Sequence, residues 1–156
     1  MNKLYVLVGV PGSGKSTWIK KQDWAKDCAY VSTDQYVEEY AKHAGKTYSE
    51  VFELVMKDAV AAMVDSVILA RSMKQDIIWD QTSVTAASRK KKLVMLPEYY
   101  AIAVVCPTPE IPELIMRLDD RPGKVIPDSV MQQMLNSWEE PTEEEGFKEI
   151  WYADTN

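Results

Sequence analysis

Residues 9–17 read GVPGSGKST, the pattern G-x-x-x-x-G-K-[ST] with Gly9, Gly14, Lys15 and Ser16 in its fixed places. The apolar run 4–8 (LYVLV) precedes it and reads as a buried strand, and a helix-like stretch follows. Strand, glycine loop and helix in that order are what a phosphate cradle requires. Glycines let the backbone approach phosphate oxygens and turn successive N–H groups toward them, and the start of a helix adds a favourable dipole. Pro11, Gly12, Ser13 and Thr17 complete the loop, Lys15 supplies a point charge for the β- and γ-phosphates, and the Ser16 hydroxyl suits Mg²⁺. A bare glycine turn between strand and helix has no use for the Gly-Lys-Ser triplet. The expected ligand is a nucleoside triphosphate with Mg²⁺.

Composition restricts the remaining classes. A chain of 156 residues suffices for one domain with a substantial core, and residues 1–156 are expected to form one. No apolar run is long enough to span a membrane. The N-terminal apolar run continues directly into the phosphate loop, so cleavage there as a signal peptide would destroy the site. The expected location is therefore cytoplasmic. Cys28 and Cys106 match no metal or redox spacing and read as small core residues beside strands. His43, the single histidine, lies in a polar helical stretch and reads as surface. The net charge of −6 argues against a broad polyanion-binding face. The basic run 89–92 (RKKK) reads as a solvated helix face, with Arg89-led contact to a phosphate backbone as the alternative.

Periodicity and punctuation alternate strands with helices. Strands are expected at 4–8, 29–32, 76–79, 100–106 and about 150–152. Helices are expected at 17–24, 35–44 (closing at Gly45), 49–73, from a cap at Ser83 or Thr85 to Leu96, at 110–118 and at 128–139. Val51, Leu54, Val55, Val60, Met63 and Val67 are expected on the buried side of the long helix. The alternation implies a three-layer α/β P-loop NTPase fold with a mainly parallel sheet, in order 2-3-1-4-5. Ligands then bind at the carboxyl ends of the strands.

That rule selects the candidates. Asp34 follows the second strand and suits a carboxylate that accepts a hydroxyl proton during phosphoryl transfer; helix capping is its plainer role. Asp80 ends the strand Ile77-Ile78-Trp79, where a carboxylate can hold Mg²⁺ together with Ser16, and Thr82 can join its network. Arg117 and Arg121 lie four apart on one expected helix face, with a short lid at about 119–127. Both suit donor phosphates or base, and Arg121 suits charge developing on the transferred group. Pairing of Arg117 with Glu113, and solvation of Arg121, are the plainer alternatives.

Five blocks carry a family resemblance: GVPGSGKSTW (9–18), VSTDQY (31–36), DQTSVTAASR (80–89), ELIMRLDDRPGKVIP (113–127) and WEEPTEEEGF (138–147). In this order the chain resembles the kinase domain of polynucleotide 5′-hydroxyl kinases, of the types seen in bacteriophages and in animal DNA-repair enzymes. The resemblance implies an ATP-dependent phosphotransferase acting on the 5′-hydroxyl end of DNA or RNA. It implies Lys15 and Ser16 as ATP and Mg²⁺ ligands, Asp34 as the activating carboxylate and Arg121 as the lid arginine. Asp80 and Thr82 match the third-strand D-x-T element, and Asp34, Thr82 and Arg89 are the acceptor-side candidates. Phage enzymes carry an arginine three residues after the catalytic aspartate, where this chain has Val37. A small-molecule or nucleoside monophosphate kinase shares the loop, lid and sheet. A non-transferring NTP-binding module is a further alternative, which would not need Asp34.

Overall fold

The computed structural model describes residues 1–154, so the last two residues of the expected 1–156 unit lie outside the described residues. Five strands, β1 (Lys3–Val8), β2 (Ala29–Val31), β3 (Ile77–Trp79), β4 (Tyr100–Val105) and β5 (Glu149–Tyr152), form one sheet in the order β2-β3-β1-β4-β5. Every pairing is parallel. The central strands are continuous apolar runs because both faces of the sheet are covered. Alternate side chains separate the two faces. Leu4, Val6 and Val8 pack with Met63, Val67, Trp79, Leu96 and Phe147, whereas Tyr5 and Leu7 pack with Trp18, Ile78, Ile102 and Cys106.

The helices supply the outer layers. The first face is covered by α3 (Tyr48–Ser72) and α4 (Ala86–Met95), the second by α1 (Lys15–Lys20) and a 3₁₀ turn, Asp23–Asp27. α2 (Asp34–Ala44) packs on α3 through Val37, Ala41, Val51, Val55 and Ala59. α5 (Ile111–Asp119) and α6 (Asp128–Asn136) bring Leu114 and Met131 against Val10 of the glycine loop. This is the three-layer α/β arrangement and strand order the sequence implies. Among the described residues no helix is long and apolar enough to cross a membrane.

Local departures have physical causes. The buried stripe of α3 is Val51, Val55, Ala59, Met63, Val67 and Ala70, while Leu54 and Val60 are 70% and 42% exposed. Two alanines complete a stripe of nearly four-residue spacing and let α3 approach its neighbours closely. The expected helix over 17–24 ends at Lys20 and tightens into the 3₁₀ turn. Thr85, not Ser83, caps α4, accepting from the Ser88 N–H at 3.2 Å. Gly45 closes α2 in the left-handed region at φ 65°. Cys106 is fully buried, Cys28 is half-buried, and His43 is exposed.

Candidate active site

β1 ends at Val8, and the loop turns back at once. The Gly9 N–H donates to the Thr82 carbonyl at 2.9 Å, which ties the base of the loop to the segment after β3. A Cβ on Gly9 would lie 2.4 Å from Ser13 Oγ, so no side chain fits there. Gly14, at φ 100°, opens α1 from the left-handed region that glycine adopts without strain. The first turn of α1 carries no acidic residue and no side-chain cap, so its N–H groups and dipole favour an anion. Pro11 and Gly12 are half-buried, Ser16 and Thr17 are exposed, and Ser13 is buried with its hydroxyl unpartnered. Lys15 Nζ donates to the carbonyls of Gly9 (2.9 Å) and Val10 (3.2 Å). Burial lowers its pKa, with Asp80 and Asp34 opposing that shift and Arg121 adding to it.

The two carboxylates stand at the ends of neighbouring strands. Asp80 follows β3, its N–H donating to Val31 O at 2.8 Å and its Oδ2 accepting from the Tyr30 phenol at 2.5 Å. Burial raises the Asp80 pKa, while the Tyr30 hydrogen bond and the charge of Lys15 pull it back. Asp34 is the first residue of α2, its N–H donating to Ser32 Oγ at 3.0 Å. The Tyr48 phenol donates to Asp34 Oδ1 at 2.6 Å, and Lys124 Nζ lies 3.8 Å from Oδ2. Both phenol pKa values are pushed up, by burial first and then by the carboxylate each one serves, so both tyrosines act as donors. Asp34, Asp80, Lys124 and Arg121 thus share one electrostatic neighbourhood with Lys15 or with one another.

Arg117 does two things at once. Its Nε donates to Glu113 at 2.9 Å, as helix spacing allows, and its Nη1 donates to the Gly12 carbonyl at 3.2 Å, clamping α5 to the loop. Arg121 does not share the helix face expected for it, because α5 ends at Asp119; it is half-buried, and its charge acts on both Lys15 and Tyr48. Thr82 is half-buried, and its carbonyl anchors Gly9.

The basic run is a solvated helix face only at Lys90 and Lys91, and its two ends depart from both readings offered by the sequence. Arg89 is fully buried, forking onto Glu145 at 2.7 and 3.1 Å and donating to Ser83 O at 2.9 Å. A guanidinium so enclosed is a cross-brace and has no donor to offer a substrate phosphate. Lys92 is also buried, 5.5 Å from the Trp79 ring centre, leaving Lys90 and Lys91 exposed. Tyr30, Tyr48 and Lys124, and Glu38, which pairs with Lys124, carry no signal in the sequence. Lys124 lay inside a quoted block, but no spacing signal ties it to Asp34.

Among the described residues no group of three or more His, Cys, Asp or Glu could hold a metal ion. The oxygens of Ser16 and Asp80 nevertheless fit Mg²⁺, which takes one or two protein oxygens and completes its shell with phosphate and water.

Solved structures with this architecture include several kinases. A putative kinase from Chloroflexus aurantiacus J-10-fl superposes with a TM-score of 0.70 at 15% identity, covering 99% of this chain and 85% of that one. A shikimate kinase from Acinetobacter baumannii, in complex with shikimate, gives 0.57 at 15% identity over 100% and 86%. A chain of the Pnkp1/Rnl/Hen1 RNA repair complex gives 0.63 at 25% identity over 87% of this chain, which spans 43% of that one. Residues 4–141, most of the chain, match the family AAA_33, described as an AAA domain. On that match the chain belongs to the family.

Proposed function

We propose that residues 1–156 act as one kinase unit transferring the γ-phosphoryl group of ATP to a hydroxyl, with the 5′-hydroxyl end of DNA or RNA as acceptor. The observation that carries the reading is that the charges of Asp34, Asp80 and Arg121 all act on the phosphate-loop lysine, Lys15. Loop N–H groups and Lys15 cradle the donor phosphates, while Arg117 and Arg121 approach from the lid side. Ser16 and Asp80 would hold Mg²⁺, which would supply positive charge against the donor phosphates. Asp34 aligns the acceptor hydroxyl and takes its proton as the oxygen–phosphorus bond forms and ADP leaves. Thr82 stands on the acceptor side of this arrangement, and the cytoplasm is the matching compartment.

The polynucleotide acceptor is supported by the five ordered sequence blocks and by 25% identity to a chain of an RNA repair complex. A second reading, a small-molecule or nucleoside monophosphate acceptor, is favoured by the burial of Arg89 and Lys92, which removes half of the basic run from the surface.

γ-Labelled ATP offered with 5′-hydroxyl oligonucleotides, nucleosides and nucleoside monophosphates side by side tests both readings, with Lys15→Ala as the inactive control. Label at oligonucleotide 5′ ends is expected. Preferential labelling of monophosphates overturns the polynucleotide acceptor, and label found only in inorganic phosphate overturns transfer.

A further inference from the structure

The lid is tied to the start of α3 at a small junction. The Ser49 N–H donates to the Gly123 carbonyl at 3.0 Å, and Ser49 Oγ accepts from the Val125 N–H at 2.7 Å. Gly123, at φ 74°, lies so close to Thr47 that a Cβ would come within 3.2 Å of the threonine Cβ. Thr47 and Glu50 form a reciprocal capping box that fixes the start of α3 at this spot. The residues either side of Lys124 are therefore pinned to the first turn of α3.

Two contacts radiate from that junction to one carboxylate. Tyr48, adjacent to Ser49, holds Asp34 Oδ1, and Lys124, between Gly123 and Val125, faces Oδ2. The lysine stands over the Tyr48 ring, 4.6 Å from its centre, and also pairs with Glu38 one helical turn beyond Asp34. It is only 19% exposed, so its charge is committed to this cluster. The Lys124 N–H donates to the Arg121 carbonyl at 3.1 Å, so one turn of lid carries both the donor-side arginine and the acceptor-side lysine.

The geometry points to Tyr48 and Lys124 as positioning residues for Asp34, joined so that the docked lid sets the acceptor-activating carboxylate while it delivers Arg121 to the donor. This rests on the reading of Asp34 given above. Tyr48 fixes one oxygen by a short hydrogen bond; Lys124, at the longer distance, orients the second oxygen electrostatically and leaves it accessible to a hydroxyl. Glu38 keeps the ammonium from closing fully onto Asp34.

The test uses Lys124→Ala, Lys124→Arg, Tyr48→Phe and Ser49→Ala in the full chain. The readouts are kcat and acceptor KM, binding of a fluorescent ATP analogue, and amide hydrogen exchange over residues 123–126. Misaligning a base costs up to roughly 10²-fold, so Lys124→Ala and Tyr48→Phe are expected to lower kcat on that scale with analogue binding retained. Lys124→Arg restores most of the loss, and Ser49→Ala speeds exchange at 123–126 and lowers kcat in the same direction. Combining Ser49→Ala with Lys124→Ala costs less than the product of the two single effects, because both act through one junction. Undiminished kcat in Lys124→Ala, or equal losses in the Ala and Arg variants, overturns the positioning role. Unchanged exchange in both Lys124→Ala and Ser49→Ala overturns the junction. Failure of the unmodified protein to label any acceptor overturns instead the functional reading beneath it, and is recognised separately because exchange is read without turnover.

Discussion

The ion pair between Arg89 and Glu145 joins positions 56 residues apart and invites a direct perturbation. The side chains are 0% and 13% exposed, and the contact is a two-pronged fork. Replacing Glu145 by Ala leaves a fully enclosed guanidinium with Ser83 O as its acceptor. Removing one partner of such a pair costs about 3–5 kcal/mol, because the surviving charge has been taken out of water. That is a large share of the roughly 5–15 kcal/mol that stabilises a domain. At about 2–4 °C per kcal/mol for this size, the melting temperature should fall by about 6–20 °C. The double variant Arg89→Met/Glu145→Met removes both charges and should recover much of the loss, as apolar replacement of buried pairs does. Urea denaturation at neutral pH measures all three proteins. The acid limb adds a second reading. Burial alone would raise the Glu145 carboxyl, but the Arg89 and Thr142 hydrogen bonds outweigh it and hold the pKa below the usual range. The pair's contribution is therefore complete above about pH 4.3 and is lost as pH falls through the lower folded value. Wild type should lose more stability over that interval than Glu145→Ala. A cost below about 1 kcal/mol for Glu145→Ala refutes the reasoning, since an exposed pair would give that value.

Arg121→Ala should lower kcat by roughly 10²–10³, the scale of losing one preorganised electrostatic donor, with a smaller change in ATP affinity. Initial-rate kinetics decide this: a raised KM at unchanged kcat assigns Arg121 to ground-state binding. Lys92 tests the buried end of the basic run. Burial, with Lys91 and Arg89 adding, pulls its pKa down to about 8, so the fold favours the neutral amine. Stability should rise from about pH 8 to about pH 10.4, with a ceiling of about 3 kcal/mol. Lys92→Met should flatten that rise; an equal rise in the variant places its origin elsewhere.

The legible parts of the fold are those where burial leaves one solution. Ile77, Ile78 and Trp79 are buried on both faces, so the strand reads as an unbroken apolar triplet and the next polar residue, Asp80, marks its carboxyl end. β2 is less enclosed, with Tyr30 36% exposed, and Asp34 is legible instead as the polar residue where the strand gives way to α2. α3 was less legible because apolar residues surround much of its circumference, and the alanines that fix its phase carry little hydrophobic signal. Arg89 was misread because a run of four cations looks solvated unless the partner is known, and Glu145 becomes its neighbour only through the tertiary fold. Tyr48 and Lys124 reach Asp34 from 14 and 90 positions away. Such meetings depend on side-chain direction at a loop junction, which neither period nor motif encodes.

The strand order has a consequence for the history of the chain as it is made. β1 becomes the middle of the sheet, yet its partners β3 and β4 begin at Ile77 and Tyr100. At roughly 5–20 residues per second, about 5–20 s separate the appearance of Lys3 from that of Tyr100. Until Ile77 emerges this largely apolar strand has both edges open, and until Tyr100 emerges one of them, the condition under which chains pair with the wrong neighbour. The phosphate loop leaving its end cannot settle until Thr82 has emerged to receive the Gly9 N–H. On a translating ribosome, the first-made part of the site is therefore among the last to acquire its shape.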